Sequence, residues 1–413
     1  MILNEDTSTA LEAKKPVFSY QDIGLALDSR ECVVLQSRRG EIEEQRTPAL
    51  AQVSGREIRA VGQRALRLVG KSNDIVYVFP GRIEDPLVLS GYLEIIVPPS
   101  SSWSRRRLWA TVPTASSLQM QLNLRSCLDH SIRSKDIVLV PEILAAALGA
   151  GLPVLRHDDE SHRARMVVHV GSTRIAAGVF VDGNLASLVV RDGSWDRLVR
   201  DVQENLQFRL GTTFGFNTFH KVVRTLSKSF FDRQVNDAAR IRTPPSHEIP
   251  VSSVPPPSLG EGVPTQLEPA GEVLPEVSPP SNLRSFSERG LIEYVVEDAT
   301  ISRAIDVQLK NLIFAIEKAI FGCFAELKGA GRGEIASDLF SDRILLCGDV
   351  YFEPAALTRY FSRLTGFRFE SINGHSVSKG LRRILTSDPI HKKNYREIAG
   401  AINEVERLRL SRI

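Results

Sequence analysis

A chain of 413 residues is too long for one ordinary hydrophobic core, so its length predicts two domains or two halves. Its 42% hydrophobic residues, 24% charged residues and net charge of +3 are typical of a soluble globular protein. We expect no nucleic-acid partner, because a strong basic excess is missing. Four cysteines lie far apart among apolar residues, which predicts reduced core thiols in a cytosolic protein: Cys32, Cys127, Cys323 and Cys347.

Two parts of the chain repeat one pattern of strands. Near the N-terminus, FSYQDIGLALD is followed by ECVVLQSRRGEIEEQ. In MVVHVGSTRIAAGVFVDGNLASLVVRDG, apolar runs flank Asp182-Gly183 and predict strands at Met166–Val170, Arg174–Val181 and Asn184–Arg191. Two copies of this pattern predict a duplicated α/β architecture with a cleft between its halves.

The most apolar stretch, IVLVPEILAAALGAGLPVL, runs from Ile137 to Leu155 and carries a single charge, Glu142. Its length is close to the ~20 residues of a membrane span. A carboxylate and internal prolines would be costly in a bilayer, however. We therefore predict a strand at Ile137–Val140, a turn, and a helix at Ile143–Gly149.

Eleven of the 22 prolines lie between Pro244 and Pro280. This segment has no helical or strand period and few aromatic residues, which predicts a disordered or polyproline-like insertion at 236–285. Such a segment is either a passive linker or a docking site for a proline-recognising partner.

The region after the insertion predicts helices around one buried strand. Apolar residues keep helical spacing from Ile305 to Phe324, and RILLCGD is typical of a buried strand that runs into a glycine turn. Apolar positions from Tyr395 to Leu408 form a stripe on a charged helix, which either packs on its own domain or binds a partner. The expected divisions are a tail 1–16, a first half 17–155, a second half in two parts 156–235 and 286–390, the insertion 236–285 and a C-terminal amphipathic helix 391–413.

The order of these pieces resembles the bacterial actin family MreB, within the actin, sugar kinase and chaperone ATPase superfamily. PEILAAALGAGLPV resembles the family's E-E-P-M-A-A-A-I-G-A-G-L-P-V, and ATVPTASS resembles V-P-x-G-x-T. AVGQRALRLVGKSNDIVYVFPGRIEDP and the stretch from RILLCGDVYF to GLRRIL match further family segments. The resemblance implies a duplicated actin-like (ribonuclease H-like) α/β fold and ATP with Mg²⁺ between the halves. It also implies self-association into filaments, or co-assembly with an actin-like protein, in cell shape or envelope organisation.

In this superfamily two glycine hairpins and a third glycine turn hold the nucleotide, because glycines let backbone N–H groups approach phosphates. The first hairpin, D-x-G-T, is matched by Asp22-Ile23-Gly24-Leu25. The match implies that Asp22 is the carboxylate on the Mg²⁺ side, acting through water, and that Gly24 lies close to the phosphates.

The second hairpin, D-x-G-G-G-T, is matched by the shorter HVGSTR, which implies a phosphate contact from Gly171, Ser172 and Thr173. His169 stands in the place of the aspartate and is a poor partner for Mg²⁺, although it could accept a proton from water. Arg174 either offsets phosphate charge or is solvated.

The remaining glycine motifs are reduced. G-G-D-x-x-D is represented by GSWD, which begins at Gly193, and the final G-G-G turn keeps Gly348. Asp349 and Val350 follow, where a negative charge and a branched side chain act against a nucleotide. The resemblance therefore implies that binding of ATP and Mg²⁺ is weakened or lost.

Glu142 aligns with the glutamate that helps to position the hydrolytic water in MreB-like ATPases. The alternative is a helix N-terminal glutamate that the helix dipole favours. If the ATPase is active, Glu142 and Asp22 are its expected catalytic carboxylates.

The segment PPSSSWSRRRLWATVP occupies the place of the apolar loop by which MreB contacts the inner membrane. Trp103 with Arg105, Arg106 and Arg107 suits an anionic bilayer surface, and the alternative is a solvated charged loop. We expect a cytoplasmic protein at the inner face of the membrane that acts as a scaffold. The competing functions are an active ATP-dependent filament protein and a non-polymerising adaptor that uses the proline-rich insertion.

Overall fold

A computed structural model of the chain describes residues 20–28, 30–38, 41–55, 57–68, 74–78, 86–97, 105–134, 136–152, 164–181, 184–210, 283–288, 292–348, 354–372 and 375–410. The strands are β1 (Tyr20–Leu27), β2 (Glu31–Arg38), β3 (Glu41–Pro48), β4 (Leu50–Ser54), β5 (Glu57–Val61), β6 (Ile75–Tyr77), β7 (Arg105–Val112), β8 (Asp136–Pro141), β9 (Arg165–Val170), β10 (Arg174–Val181), β11 (Asn184–Asp192), β12 (Leu283–Glu288), β13 (Ile292–Glu297), β14 (Arg343–Cys347) and β15 (Arg368–Ser371). The helices are α1 (Gln63–Leu66), α2 (Pro86–Ile96), α3 (Leu118–Ile132), α4 (Glu142–Gly149), α5 (Trp195–Leu210), α6 (Asp298–Gly329), α7 (Gly333–Ser341), α8 (Pro354–Thr365), α9 (Ser376–Thr386) and α10 (Pro389–Leu410).

Two five-stranded sheets share one strand order, β3-β2-β1-β7-β8 in the first half and β11-β10-β9-β14-β15 in the second. In each sheet the first three strands pair antiparallel and the last two add in parallel. This repetition confirms the predicted duplicated α/β architecture. Two smaller sheets, β5-β4-β6 and β12-β13, are additions to it.

The predicted strands of both copies are present, as β1 to β3 and as β9 to β11. The Asp182-Gly183 turn lies outside the described residues. So do the tail 1–16 and most of the predicted insertion, whose last residues belong to β12 because that strand begins at Leu283.

Three apolar cores hold the molecule together. One lies between the first sheet and the outer helices α2 and α3, and another between the second sheet and α5 to α8. The third, which we call the central core, contains α4, α9 and part of α10 between the inner faces of both sheets. Val33 and Trp109 enter it from the first sheet, and Val167 and Ala176 from the second.

Helix α4 is buried on every side, from Glu142 to Leu148. A helix that is apolar all round belongs in a protein interior or a membrane, and here both sheets enclose it. The predicted strand and helix in this stretch are thus confirmed as β8 and α4. Among the described residues, no helix is both long and apolar enough to cross a membrane.

Helices α4 and α9 approach so closely that only glycine fits at two positions. A Cβ atom added to Gly380 would lie 1.8 Å from the carbonyl oxygen of Ala145, and one added to Gly149 would lie 1.8 Å from that of Ser376. Backbone therefore packs directly on backbone where the two helices cross.

Helix α10 packs on its own molecule, which is the first of the two alternatives for its apolar stripe. Tyr395 and Ile402 are buried in the central core, and Ile398 packs against it. The side chains of Val405 and Leu408 lie outside the described part of the chain.

The four cysteines are buried and form no disulfide, as expected of core thiols. Burial raises the pKa of Cys347 to about 12, and burial with the nearby Glu31 raises the pKa of Cys32 further. Because the thiolate is the reactive form, neither residue is suited to be a nucleophile.

Candidate functional site

The cleft between the halves is bounded by two β-turns and by the first residues of α4, α5 and α9. The turns join β1 to β2 and β9 to β10, and they face each other across a cavity of about 40 Å³. Each turn comes from the equivalent place in one copy of the repeat. The cleft therefore lies where the duplicated topology predicts it.

The β1–β2 turn lies between Leu27 and Glu31, and the backbone N–H of Asp28 donates to the carbonyl of Glu31 over 3.1 Å. Ala26 and Leu27 are the strand residues that enter the cleft. The sequence match had placed this hairpin at Asp22 to Leu25, and the structure corrects it.

Asp22 and Gly24 lie inside β1, where their Cα atoms pair with Arg107 and Leu35. Asp22 and Ala26 are four positions apart, which is about 13 Å at the rise of a β-strand. Asp22 instead accepts a hydrogen bond from Lys392 of α10 over 2.5 Å, and neither Asp22 nor Gly24 lines the cleft.

The signal for the true turn was present in the sequence ALDSRECVVL. Asp and Ser are favoured in turns, and here they separate two apolar runs. The D-x-G pattern from Asp22 to Gly24 matched the family motif at an earlier point of the same strand. At that point, Gly24 leaves room for Leu385 of α9 to pack closely.

The second hairpin lies where the sequence predicted it. The backbone N–H of Gly171 donates to the carbonyl of Arg174 over 2.9 Å and closes the turn that contains Ser172 and Thr173. Gly171 and Ser172 line the cleft. Arg174 reaches across to the first half and donates to the carbonyl of Ala115 over 3.3 Å.

Glu142 and His169 meet across the cleft. The Oε2 atom of Glu142 lies 3.8 Å from Nδ1 of His169, and both residues are less than 10% exposed. A Cβ atom on Gly171 would lie 2.9 Å from the same oxygen. Glu142 is also the first residue of α4, where the helix dipole favours a carboxylate. Both interpretations of Glu142 are thus compatible with its position.

The reduced motif GSWD lies at the start of α5. Ser194 accepts a hydrogen bond from the N–H of Arg197 over 3.0 Å, while Trp195 and Asp196 line the cleft. Trp195 is buried, and its backbone N–H donates to the carbonyl of Gly171 in the second hairpin over 3.3 Å. Gly193 packs against Ile175 and does not line the cleft.

Gly348 lies at the end of β14 with φ of 132°, a conformation that favours glycine. A Cβ atom there would lie 2.2 Å from the carbonyl oxygen of Val170 and 3.3 Å from Nε1 of Trp195. Gly348 thus supports two residues that line the cleft. Asp349 and Val350 lie outside the described residues.

The first turn of α9 lines the cleft through residues that sequence reasoning missed. They are Ser376 and Ser378, preceded by His375 with φ of 72°. The ring of His375 is within hydrogen-bonding distance of Arg46 and lies 3.2 Å from Glu31. No local motif marks these residues, because they meet the first hairpin only after the chain has passed through the second half.

Two of the arginines that were predicted to face a membrane lie against the protein itself. Arg106 is 8% exposed, and Arg107 donates to Asp136 over 2.8 Å and lies 3.9 Å from Asp22. The structure therefore does not present these two residues as the surface cations that the sequence predicted. Trp103 and the side chain of Arg105 lie outside its described part.

The described part of the cleft is narrow, and its carboxylates are not assembled into a metal site. Ligand pockets have volumes of roughly 300–1,000 Å³, whereas a cavity of about 40 Å³ holds a few waters. Mg²⁺ prefers oxygen ligands. The strand ends in the cleft present Ala26, Leu27, His169 and Val170, and carboxylates line other parts of the cavity: Asp28, Glu31, Glu142 and Asp196. Within the described ranges, no group of three or more His, Cys, Asp or Glu side chains could hold a metal ion.

No protein-family model and no curated protein matches the sequence. Among solved structures, MreB5 of Spiroplasma citri bound to ADP is 15% identical with a TM-score of 0.63, over 91% of this chain and 98% of the other. The same protein bound to AMPPNP is 15% identical with a TM-score of 0.62, over 92% and 99%. The MamK double helical filament is 12% identical with a TM-score of 0.59, over 90% and 100%. Nearly its whole length therefore has the actin-like fold of the bacterial proteins MreB and MamK, as the sequence motifs predicted.

Proposed function

We propose that this chain is an actin-like cytoskeletal or scaffold protein with a weakened or lost nucleotide site. It would self-associate, or join the filament of another actin-like protein, in the cytoplasm and in the service of cell shape or envelope organisation. The fold supports assembly, because the structurally similar MamK has been solved as a double helical filament.

The content of the cleft carries the proposal. The buried pair of Glu142 and His169 lies between the two hairpins, and Trp195 lines the same cavity. A protein that needed ATP to assemble would have to open this region and hydrate a buried carboxylate. Assembly without nucleotide avoids both costs.

The test combines a binding titration with electron microscopy. Purified protein freed of nucleotide is titrated with a fluorescent ATP analogue and Mg²⁺, and parallel samples are imaged with and without ATP. We expect filaments in both samples and no saturation at micromolar nucleotide. Filaments that appear only with ATP would contradict the proposal.

An active ATPase is the second candidate, and the position of Glu142 beside Gly171 favours it. In that case Glu142→Gln would abolish turnover while the protein stays folded. Asp22→Asn is the matched control, because Asp22 lies in the interior of β1 and binds Lys392. Turnover that is lost with Asp22→Asn but kept with Glu142→Gln would reject this assignment of the site.

A non-polymerising adaptor is the third candidate, and it rests on the sequence of the proline-rich insertion. Deletion of residues 236–282 leaves every described element in place. An adaptor would stay in the supernatant of a sedimentation assay with or without this segment, whereas a filament protein would sediment in at least one form.

A further inference from the structure

Helix α6 has a second apolar stripe on its outer face. Its inner face is buried against the second sheet, yet Val307 is 46% exposed, Phe314 56% and Phe321 53%. The spacing of seven residues places all three on one side of the helix, along a line of about 21 Å. Burial in the core explains the inner face of α6. In the stripe, the ring of Phe321 also packs against Phe324 and Phe367, with centroids 6.3 and 5.5 Å away, but about half of Phe321 stays exposed.

The same outer face is basic. Among the described side chains of α6, the exposed charged ones are all cations: Arg303, Lys310, Lys318 and Lys328. The acids of α6 with described side chains, Asp306, Glu317 and Glu326, are only partly exposed. Two of them are engaged: Asp306 accepts from Lys310 and Tyr360, and Glu326 accepts from Ser187. The Nζ atom of Lys318 lies 4.2 Å from the centre of the Phe314 ring, so cation and aromatic ring share one surface.

One further cation lies beside this face, and acids border it: Asp192 and Asp201 on the side of β11 and α5, and others on α7. Arg191 of β11 lies next to Gly322, where its Nη2 atom would be 3.4 Å from an added Cβ. On α7, the exposed Phe340 is accompanied by the acids Glu334 and Asp338. The outer face of α6, from Arg303 to Lys328, is therefore a bounded surface in which apolar and cationic side chains alternate.

We infer that this face of α6 binds an anionic bilayer surface. Aromatic side chains that enter the interfacial region, flanked by lysines that meet anionic headgroups, form a peripheral membrane site. A second copy of the chain is disfavoured, since pairing the two faces would bring cations against cations. Nucleic acid is disfavoured because the chain has a net charge of only +3, without the strong basic excess of a nucleic-acid binder.

This site replaces the one that the sequence suggested at residues 103–107, where Arg106 and Arg107 are engaged inside the protein. It does not rest on the proposed function, because lipid binding through α6 requires neither filaments nor nucleotide. It would orient the second half of the molecule toward the membrane.

The experiment is flotation of the full-length protein with vesicles in a density gradient, because filaments sediment whereas vesicle-bound protein floats. One set of vesicles is phosphatidylcholine alone, and the other contains equal parts of phosphatidylcholine and phosphatidylglycerol. The variants are the triple Lys310→Gln, Lys318→Gln, Lys328→Gln and the double Phe314→Ser, Phe321→Ser. The matched control removes three exposed cations from α9 and α10: Lys379→Gln, Arg382→Gln and Lys393→Gln.

We expect flotation with the anionic vesicles alone. Each surface lysine contributes about five-fold near an anionic leaflet, so the triple variant should lower the partition coefficient roughly 100-fold. The double variant should lower it by roughly ten-fold or more, and the control should behave as wild type. Circular dichroism melting checks that every variant is folded.

Three outcomes would overturn the inference. These are a wild-type protein that does not float, α6 variants that float as wild type does, and a control that loses as much binding as the triple variant. A single-stranded RNA oligonucleotide that binds when vesicles do not would assign the face to nucleic acid instead. A protein that forms filaments but fails to float leaves the proposed function standing.

Discussion

At the scale of single residues, the contact between Glu142 and His169 decides the chemistry of the cleft. One residue comes from each half, and their side chains are separated by 3.8 Å in a nearly closed interior. A carboxylate buried there is costly unless a partner compensates it. Histidine is able to do so without a metal ion.

Exchanging His169 for aspartate tests this role directly. The variant brings two carboxylates together, and we expect the folded state to lose ~2 kcal/mol of stability when a chelator is present. Because oxygen ligands suit Mg²⁺, adding the ion should recover part of the loss. Thermal melts with EDTA and with Mg²⁺ measure both effects.

His169→Asn is the control for that experiment, since it removes the imidazole without adding a charge. Its melting temperature should not respond to Mg²⁺. An aspartate variant as stable as wild type in EDTA would show that the pair does not hold the cleft together.

Sequence reasoning found the second hairpin and Glu142 because each lies within a continuous motif. It missed the true first hairpin because Asp22-x-Gly24 imitates the family pattern within one strand of the same sheet. It also missed Ser376 and Ser378, since only the folded chain brings the start of α9 to the cleft. Local patterns thus predicted the residues near the turns, and long-range packing placed the others.

At the scale of elements, the crossing of α4 and α9 leaves no room for side chains. Gly380→Ala would place a methyl group 1.8 Å from the carbonyl oxygen of Ala145. We expect a loss of about 1–3 kcal/mol or more from overpacking. Urea unfolding followed by circular dichroism gives the value.

Gly400→Ala on α10 is the matched control. Among the described residues, no atom beyond the neighbouring backbone of α10 lies within 4 Å of its added Cβ, so the same substitution should stabilise the helix by roughly 0.5–1 kcal/mol. Equal effects at both positions would mean that helix propensity, and not the crossing, determines the result.

Helix α10 is anchored to the first half by charges as well as by its apolar stripe. Arg396 donates to Asp136 over 2.6 Å, and Arg107 donates to the other oxygen of the same carboxylate. Burial alone would raise the pKa of Asp136, but the hydrogen bonds from the two arginines outweigh it and hold the pKa below the ordinary 3.8. The sequence predicted the stripe and could not predict this anchor, whose members are 260 positions apart.

The pH dependence of this anchor has a definite sign. Because the folded-state pKa is depressed, the contribution of Asp136 is complete above the ordinary pKa and is lost as the pH falls through the lower folded value. Asp136→Asn should therefore lower the melting temperature by about 1–2 °C at pH 7, a small effect for a partly exposed pair. The difference should vanish in strong acid, and a difference that grows on acidification would contradict the assignment.

At the scale of the whole molecule, the central core belongs to both sheets at once. Val33 and Trp109 meet α4 and α9 from one side, while Val167 and Ala176 meet them from the other. We expect the two halves to unfold together, in one calorimetric transition, because neither has a complete interior alone. Two separate transitions would show that the halves are thermodynamically independent.

The duplicated topology was predictable from sequence because both copies carry the same alternation of apolar runs and turns. The outer face of α6 was not predictable from sequence. The helical spacing of its apolar residues is explained by burial in the core, and the exposed stripe can be recognised only when the exposure of each residue is known. The expected divisions at 155 and 390 stay predictions. Helix α4 precedes the first and α9 precedes the second, and these two helices pack on each other between the sheets.

The shared position of α4 has a consequence for any attempt to divide the gene. A fragment that ends at Leu155 would carry α4 without α9, and would expose Leu144 and Ala147 to water together with the inner face of the first sheet. Neither this fragment nor its complement, residues 156–413, should fold when it is made by itself. The two should recover a native protein only when they are synthesised in the same cell, as complementing pieces of one interior.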